Sequence, residues 1–248
     1  MNNARVYLAG VALAAASAAA HADVSVTPAL TSDYDFRGYT QSDKKPALSV
    51  SVDYSGGPIH VGAWTSSIDF GPHDARSELD LMADYTFGSD DTVKVNTGFV
   101  YYTYPGHDNY TYPEAWVMAS KGWFSAAYHY SWDWANVSQE ASYVEGNVTV
   151  PIASTGFSAV GHVGYSFGQY WKAVDDAAQA AGVSGNGEYI DWSVGVTKGF
   201  GNFNFVLKYV DSNGVDFSAD SGPYKNVFSN DGRVILSVST TLPWAKKE

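Results

Sequence analysis

The sequence predicts an all-β chain, a transmembrane antiparallel up-and-down β-barrel of about 12 strands with short periplasmic turns and long extracellular loops. Three observations predict it. Tight turns and long polar connectors alternate along the chain, and the segments between them repeat apolar and polar residues with a period of two. Beyond the amino-terminal leader, no stretch approaches the roughly 18 consecutive apolar residues of a spanning helix. The tight turns are Ser55-Gly56-Gly57-Pro58, Gly88-Ser89-Asp90-Asp91, Lys121-Gly122, Ala153-Ser154-Thr155-Gly156 and Gly201-Asn202. Between them lie Gly38 to Pro46, Asp69 to Arg76, Pro105 to Pro113, Ala135 to Glu140, Gly168 to Glu188 and Ser212 to Gly232. A soluble β-sandwich has no reason to gather its long loops at one end, whereas an outer-membrane barrel does.

The first element is a leader. Arg5 precedes an apolar run from Val6 to Ala16, and Ala20-His21-Ala22 carries the small-x-small pattern of a signal-peptidase site. The run is too short for a spanning anchor of about 20 residues, so residues 1–22 read as a cleaved signal peptide and 23–248 as one barrel domain. Export to the bacterial outer membrane follows. With 14 Lys plus Arg against 26 Asp plus Glu, the net charge of -12 becomes -13 once Arg5 is lost, a balance opposed to nucleic-acid binding. Cysteine is absent, so no disulfide supports the fold.

The strands follow in order. Val24, Val26, Pro28, Leu30, Tyr34 and Phe36 share one parity, with Ser25, Thr27, Thr31, Asp33, Asp35 and Arg37 on the other. Leu48, Val50, Val52 and Tyr54 oppose Ser49, Ser51 and Asp53; Leu79, Leu81, Ala83, Tyr85 and Phe87 oppose Glu78, Asp80 and Asp84. Phe124, Ala126, Tyr128, Tyr130, Trp132 and Trp134 oppose Ser125, His129, Ser131 and Asp133. The pattern continues at Ile190 to Val196, Phe203 to Tyr209 and Val234 to Leu242, and is weaker at Ile59 to Ser67, Ala115 to Ala119 and Val144 to Val150. One face suits lipid and one water, which also explains the slightly negative mean hydropathy. The even strand count places both termini on the short-turn side.

Outward aromatics fall beside the connectors: Tyr54, Phe87, Phe124, Phe200 and Phe203 near tight turns, and Tyr34, Phe36, Trp132 and Trp134 near long loops. Two such bands are the interfacial girdles a barrel requires. Outer-membrane barrels usually finish on an aromatic residue read by the barrel-assembly machinery; the run Leu242-Pro243-Trp244-Ala245-Lys246-Lys247-Glu248 departs from that pattern, and Trp244 is the candidate for a displaced signal.

The run Thr31-Ser32-Asp33-Tyr34-Asp35-Phe36-Arg37-Gly38-Tyr39-Thr40-Gln41-Ser42-Asp43, with Pro46-Ala47 after it, resembles the opening signature of the TorF-type porin family, the Gcw_chp proteins of Gram-negative outer membranes. Gly62-Ala63-Trp64-Thr65-Ser66-Ser67-Ile68 is similar to that family's third strand. The resemblance implies an outer-membrane barrel with a porin role, no catalytic residues and no particular substrate.

Carried inward, the alternation gives a candidate lining of Asp33, Asp35, Glu78, Asp80, Asp84, Glu114, Asp133, Glu145 and Asp191 against Arg37, Lys94, Lys208 and Arg233, with His129 among them. Such a lining favours cations over anions. The expected function is diffusion of small polar solutes or ions through a weakly cation-selective pore. Pairing of these charges would instead give a plugged, non-conducting surface or binding barrel.

His129-Tyr130-Ser131 has the spacing of an outer-membrane lipid hydrolase, but the residues face the lumen, away from acyl chains, and the chain is read as a non-enzyme. The loop motifs Gly71-Pro72-His73-Asp74 and Pro105-Gly106-His107-Asp108 contain zinc-compatible groups but are ordinary turn formers, so neither metal nor cofactor is expected. Val174 to Ala181 reads as a short helix before Gly182, over the mouth, in the lumen or free in solvent. The expected partners are outer-membrane lipids, small solutes and the assembly machinery.

Overall fold

A computed structural model describes residues 23–72, 74–89, 91–218 and 225–244. The leader and residues 245–248 lie outside them. The elements are β1 (Asp23–Thr31), β2 (Asp35–Phe36), β3 (Tyr39–Thr40), β4 (Ala47–Gly56), β5 (Ile59–Ser67), β6 (Ser77–Phe87), β7 (Lys94–Thr103), β8 (Tyr112–Lys121), β9 (Phe124–Ser131), β10 (Ala141–Pro151), β11 (Phe157–Phe167), α1 (Gln169–Ala181), β12 (Tyr189–Phe200), β13 (Phe203–Ser212) and β14 (Arg233–Thr240).

Twelve of these strands, β1 and β4 to β14, form a closed antiparallel barrel in which each strand pairs with its neighbours in sequence and β1 closes on β14. Closure is what allows strands to cross lipid, because it removes the unpaired edge whose N–H and C=O groups hydrocarbon cannot satisfy. Most neighbours pair over eight to ten residues, such as the ten between β10 and β11. The β1–β14 seam is shorter: three pairs from Ala29↔Ser239 to Thr31↔Ser237, then a gap, then a single bridge Val26↔Leu242. Pro28, which has no N–H to donate, lies in that gap.

The predicted parity is realised on the wall. Leu48, Val52, Leu81, Val117, Tyr128, Val163, Val194, Leu207 and Leu236 all lie exposed on the outside. On a protein in water so continuous an apolar surface would drive aggregation; in a bilayer it is the solvated face. Phe87, Trp123, Phe124, Phe200 and Trp244 stand exposed at the short-turn end, and Tyr101, Trp132, Trp192 and Tyr209 toward the long-loop end.

Three expected members of the outer girdle are not in it. Tyr34, Phe36 and Trp134 turn inward, Trp134 being only 8% exposed. The wall strand β1 stops at Thr31, the last residue paired to both neighbours. The chain then folds into the barrel as the β2–β3 hairpin, so the alternation from Asp33 to Arg37 belongs to an internal ribbon. Similarly β9 ends at Ser131, and Trp134 starts a single 3-10 turn that leans over the mouth.

Candidate functional site

The internal hairpin organises the lumen. Asp35 pairs with Thr40 and Phe36 with Tyr39, leaving a two-residue turn, Arg37-Gly38, with φ of 49° and 88°. Positive φ at both positions is the hairpin geometry whose twist matches paired strands, and Gly38 adopts it without strain. A side chain at Gly38 would meet the Cβ atoms of Ser212 and Asp191 at 2.8 and 2.9 Å, so the turn lies directly against β12 and β13.

From that position Arg37 reaches across to β8. Its Nη2 donates to both oxygens of Glu114 at 2.8 Å, the two side chains being 9% and 2% exposed. The guanidinium carbon lies 4.2 Å from the Tyr143 ring centre, 4.9 Å from Phe36 and 5.4 Å from Trp134. A buried ion pair needs such company to offset desolvation of both charges. The hairpin is also tied behind: Arg233 donates to Asp33, to Asp35 at 2.7 Å and to the Gly38 carbonyl at 3.0 Å. Tyr189 donates to the Arg37 carbonyl and Tyr39 to the Val215 carbonyl.

Outside the spanning region, Lys45 bridges Asp43 and Asp69, and those hydrogen bonds push its ammonium up to about 12. The bond from Lys44, at 3.0 Å, holds Asp231 below the usual carboxylate range.

Beneath the hairpin, one side chain from each of six consecutive strands forms a belt of alternating chemistry. Glu114 on β8 contacts His129 on β9 at 3.0 Å, and His129 contacts Glu145 on β10 at 3.6 Å. Glu145 contacts His162 on β11 at 3.6 Å, and His162 contacts Asp191 on β12 at 2.9 Å. Lys208 on β13 ends the series by reaching hairpin residue Asp35 at 3.4 Å. Tyr143 crosses β11 to bond Asp191 at 3.1 Å, which it can do because Gly164 lies beneath it; a Cβ there would overlap the Tyr143 hydroxyl. Beside this belt is an open space of about 490 Å³ that extends to Thr149, Val160 and Val206, toward the short turns. The opposite half is more filled: His60 sits between Asp53 and Asp84 at 3.0 and 2.6 Å, and Trp116 donates to Asn96 at 2.6 Å.

Above the hairpin, at the long-loop end, is a second space of about 340 Å³. Rings from the hairpin, four loops, α1, β8 and β12 line it, including Phe36, Tyr39, Phe70, Tyr112, Trp171 and Tyr189, and among the described residues no charged side chain does. The helix α1 thus covers the mouth, its Trp171 packed against Trp134 and Tyr189.

The structure distributes the sequence-predicted residues unevenly. Glu114, His129, Glu145, Asp191 and Lys208 come together in the belt, with Asp33, Asp35 and Arg37 on the hairpin and Arg233 beside it. Glu78 and Asp80 are buried on β6, one oxygen of each lacking a hydrogen-bond partner among the described residues. Asp84 belongs to the His60 cluster, and Lys94 is half-buried at the start of β7, at the short-turn end. Asp133 departs from the expected lining: it lies beyond β9, where its carboxylate accepts the Ser138 N–H at 2.6 Å.

Tyr143, His162, Asp53 and His60 were absent from the predicted lining, although Tyr143 and His162 share the parity of their inward neighbours Glu145 and Ser166. The imidazole of His129 faces two carboxylates, and the buried Ser131 hydroxyl makes no hydrogen bond to it. His107 lies 3.7 Å from Asp74, while His73 falls outside the described residues. Among the described residues, no three His, Cys, Asp or Glu are placed to hold a metal.

Comparison with known proteins agrees with this architecture. A family profile described as "Bacterial protein of unknown function (Gcw_chp)" matches residues 15–242. No curated protein matches the chain by sequence. Among solved structures, it is similar to the KdgM porin at 8% identity, covering 89% of this chain and 99% of that one with a TM-score of 0.52. It is equally similar to the NanC porin, at 10% identity, with 88% and 98% covered and a TM-score of 0.52. The KdgM porin has also been solved in complex with disordered oligogalacturonate, at 8% identity, with 88% and 97% covered and a TM-score of 0.50. At these identities the likeness is one of fold.

Proposed function

The chain belongs to the Gcw_chp family, and for this member we propose an outer-membrane channel that passes small polar solutes and ions by diffusion, with a weak preference for cations. The observation that carries the reading is the partnering of the luminal carboxylates. Glu114, Asp33 and Asp35 are neutralised by Arg37, Arg233 and Lys208. Asp53, Asp84, Glu145 and Asp191 are held instead by histidine, hydroxyl or amide groups. Among the described residues no lysine or arginine is paired with this second group, so the field left in the lumen is negative, and a low-dielectric wall concentrates it.

The same field opposes a carboxylated sugar polymer such as the one bound by the KdgM porin. Residues 1–22 serve export on this reading, and lipids and the assembly machinery are the partners during insertion.

The test is planar-bilayer recording of the refolded protein under a potassium chloride gradient. The expected result is a small conductance with a reversal potential on the cation side. Anion preference would overturn the selectivity, and absence of current in both the intact protein and the hairpin deletion would overturn the channel. The crossing hairpin favours a second reading, a plugged barrel that binds without conducting. Current that appears only after removal of residues 34–41 would establish it.

A further inference from the structure

The chamber above the hairpin has a function that diffusion alone does not require. Rings that merely fill a core interlock until little space remains, since protein interiors pack as densely as organic crystals. Here the rings stand around about 340 Å³, within the range of small-molecule sites. Four of the six tyrosine hydroxyls around it are committed elsewhere: Tyr39 to the Val215 carbonyl, Tyr104 to Glu78, Tyr110 to Asp74 and Tyr189 to the Arg37 carbonyl. Beside Gln41 and the Tyr112 and Tyr170 hydroxyls, ring faces and edges are therefore most of what the chamber offers. They are held in place by one another, with Trp171 edge-on to Tyr189 at 5.0 Å and Phe70 against Phe228 at 4.6 Å.

Ring faces attract cations through their quadrupole. Two of these rings, Phe36 and Trp134, already hold the protein's own guanidinium, that of Arg37, whose charge Glu114 balances. Behind Tyr104 lie Glu78 and Asp80, each with a carboxyl oxygen lacking a hydrogen-bond partner among the described residues. Asp74 accepts the Tyr110 hydroxyl at 3.0 Å, and Asp216 is the chain neighbour of the lining residue Phe217. The chamber presents mainly ring faces, with carboxyl groups just behind them, the arrangement that suits a weakly hydrated positive charge.

We propose that the aromatic chamber at the long-loop end is a binding site for a small organic ammonium cation of the quaternary or alkylated type. This deepens the cation-channel reading by naming a solute class, and it rests on that reading for transport but not for binding.

The experiment is calorimetric titration of the refolded full chain in detergent with choline and with 3,3-dimethylbutan-1-ol, its uncharged isostere. Saturable choline binding, with the isostere at least about tenfold weaker, is expected. Phe70→Leu and Trp171→Leu should each weaken choline binding roughly tenfold while the barrel keeps its far-ultraviolet spectrum. Equal binding of the two ligands would overturn the cationic class, and no saturable choline binding by the wild-type protein would overturn the site. Ionic current without choline binding refutes the chamber and leaves the channel. Choline binding by a barrel that carries no current, with or without its hairpin, refutes the channel and leaves the chamber.

Discussion

Arg37 and Glu114 are the residues on which the arrangement of the lumen turns. Each is buried and is the other's full counter-charge, with only the His129 imidazole as a second contact to Glu114, so removing one leaves a poorly compensated ion in a low-dielectric setting. Arg37→Ala or Glu114→Gln should each cost about 3–5 kcal/mol, whereas the double substitution should cost less than their sum. Urea titration of the refolded barrel, followed by tryptophan fluorescence, checks this; additive losses would mean that the pair is not coupled. Gly38→Ala should cost roughly 1–3 kcal/mol in the same titration, from strain at a φ of 88° and from the approach of Ser212 and Asp191.

At this scale the sequence was half legible. Parity gave Asp33, Asp35 and Arg37 one common inward face, but by extending β1 into a ribbon that has left the wall. Alternation reports which face a residue takes and is blind to which sheet it belongs to. The adjacent Arg37-Gly38, flanked by alternating residues, was the available hairpin signal. Reading it would also have moved Tyr34 and Phe36 out of the girdle.

Among elements, the hairpin and α1 make different contributions to resistance. The hairpin crosses the lumen, while α1 lies at the mouth and lends Trp171 to the chamber. Replacing residues 34–41 by a short Gly-Ser linker should therefore raise single-channel conductance several-fold. Replacing residues 169–187 should raise it less and mainly lower affinity for ligands of the chamber. Equal increases in bilayer recordings would mean that both elements obstruct the same point.

The twelve wall strands were readable because lipid on one side and water on the other impose a strict period. Two of the weaker segments are those where glycine or aromatic residues face inward: Gly62 and Trp64 on β5 and Trp116 on β8. There the inner face must accommodate rings rather than water, so polar residues give way and the contrast fades. Nothing comparable constrains the loops, and the inward turn of Trp134 depends on contacts with Tyr112 and Trp171 that are distant in sequence.

For the whole molecule, the hydrogen-bond ladder carries stability, with no disulfide to share the load. The ladder is not uniform. Amides along β10 and β11, paired over ten residues, should exchange with deuterium far more slowly than those amides of β1 and β14 that face their shared seam, where three pairs and one bridge join the strands. Uniform protection around the barrel would contradict this.

That short seam has a mechanical consequence. The hairpin is continuous with β1 on one side of the seam, and on the other it is gripped by Arg233, the first residue of β14. Arg233 is therefore a staple across the parting line of the barrel, and the inner ribbon is its backing plate. Anything that pulls the ribbon aside also unclips the wall. Arg233→Ala should loosen both together: faster deuterium uptake at the Ser32 and Leu236 amides along with noisier current, while β10 and β11 keep their protection. The obstruction and the closure of the cylinder are then one joint.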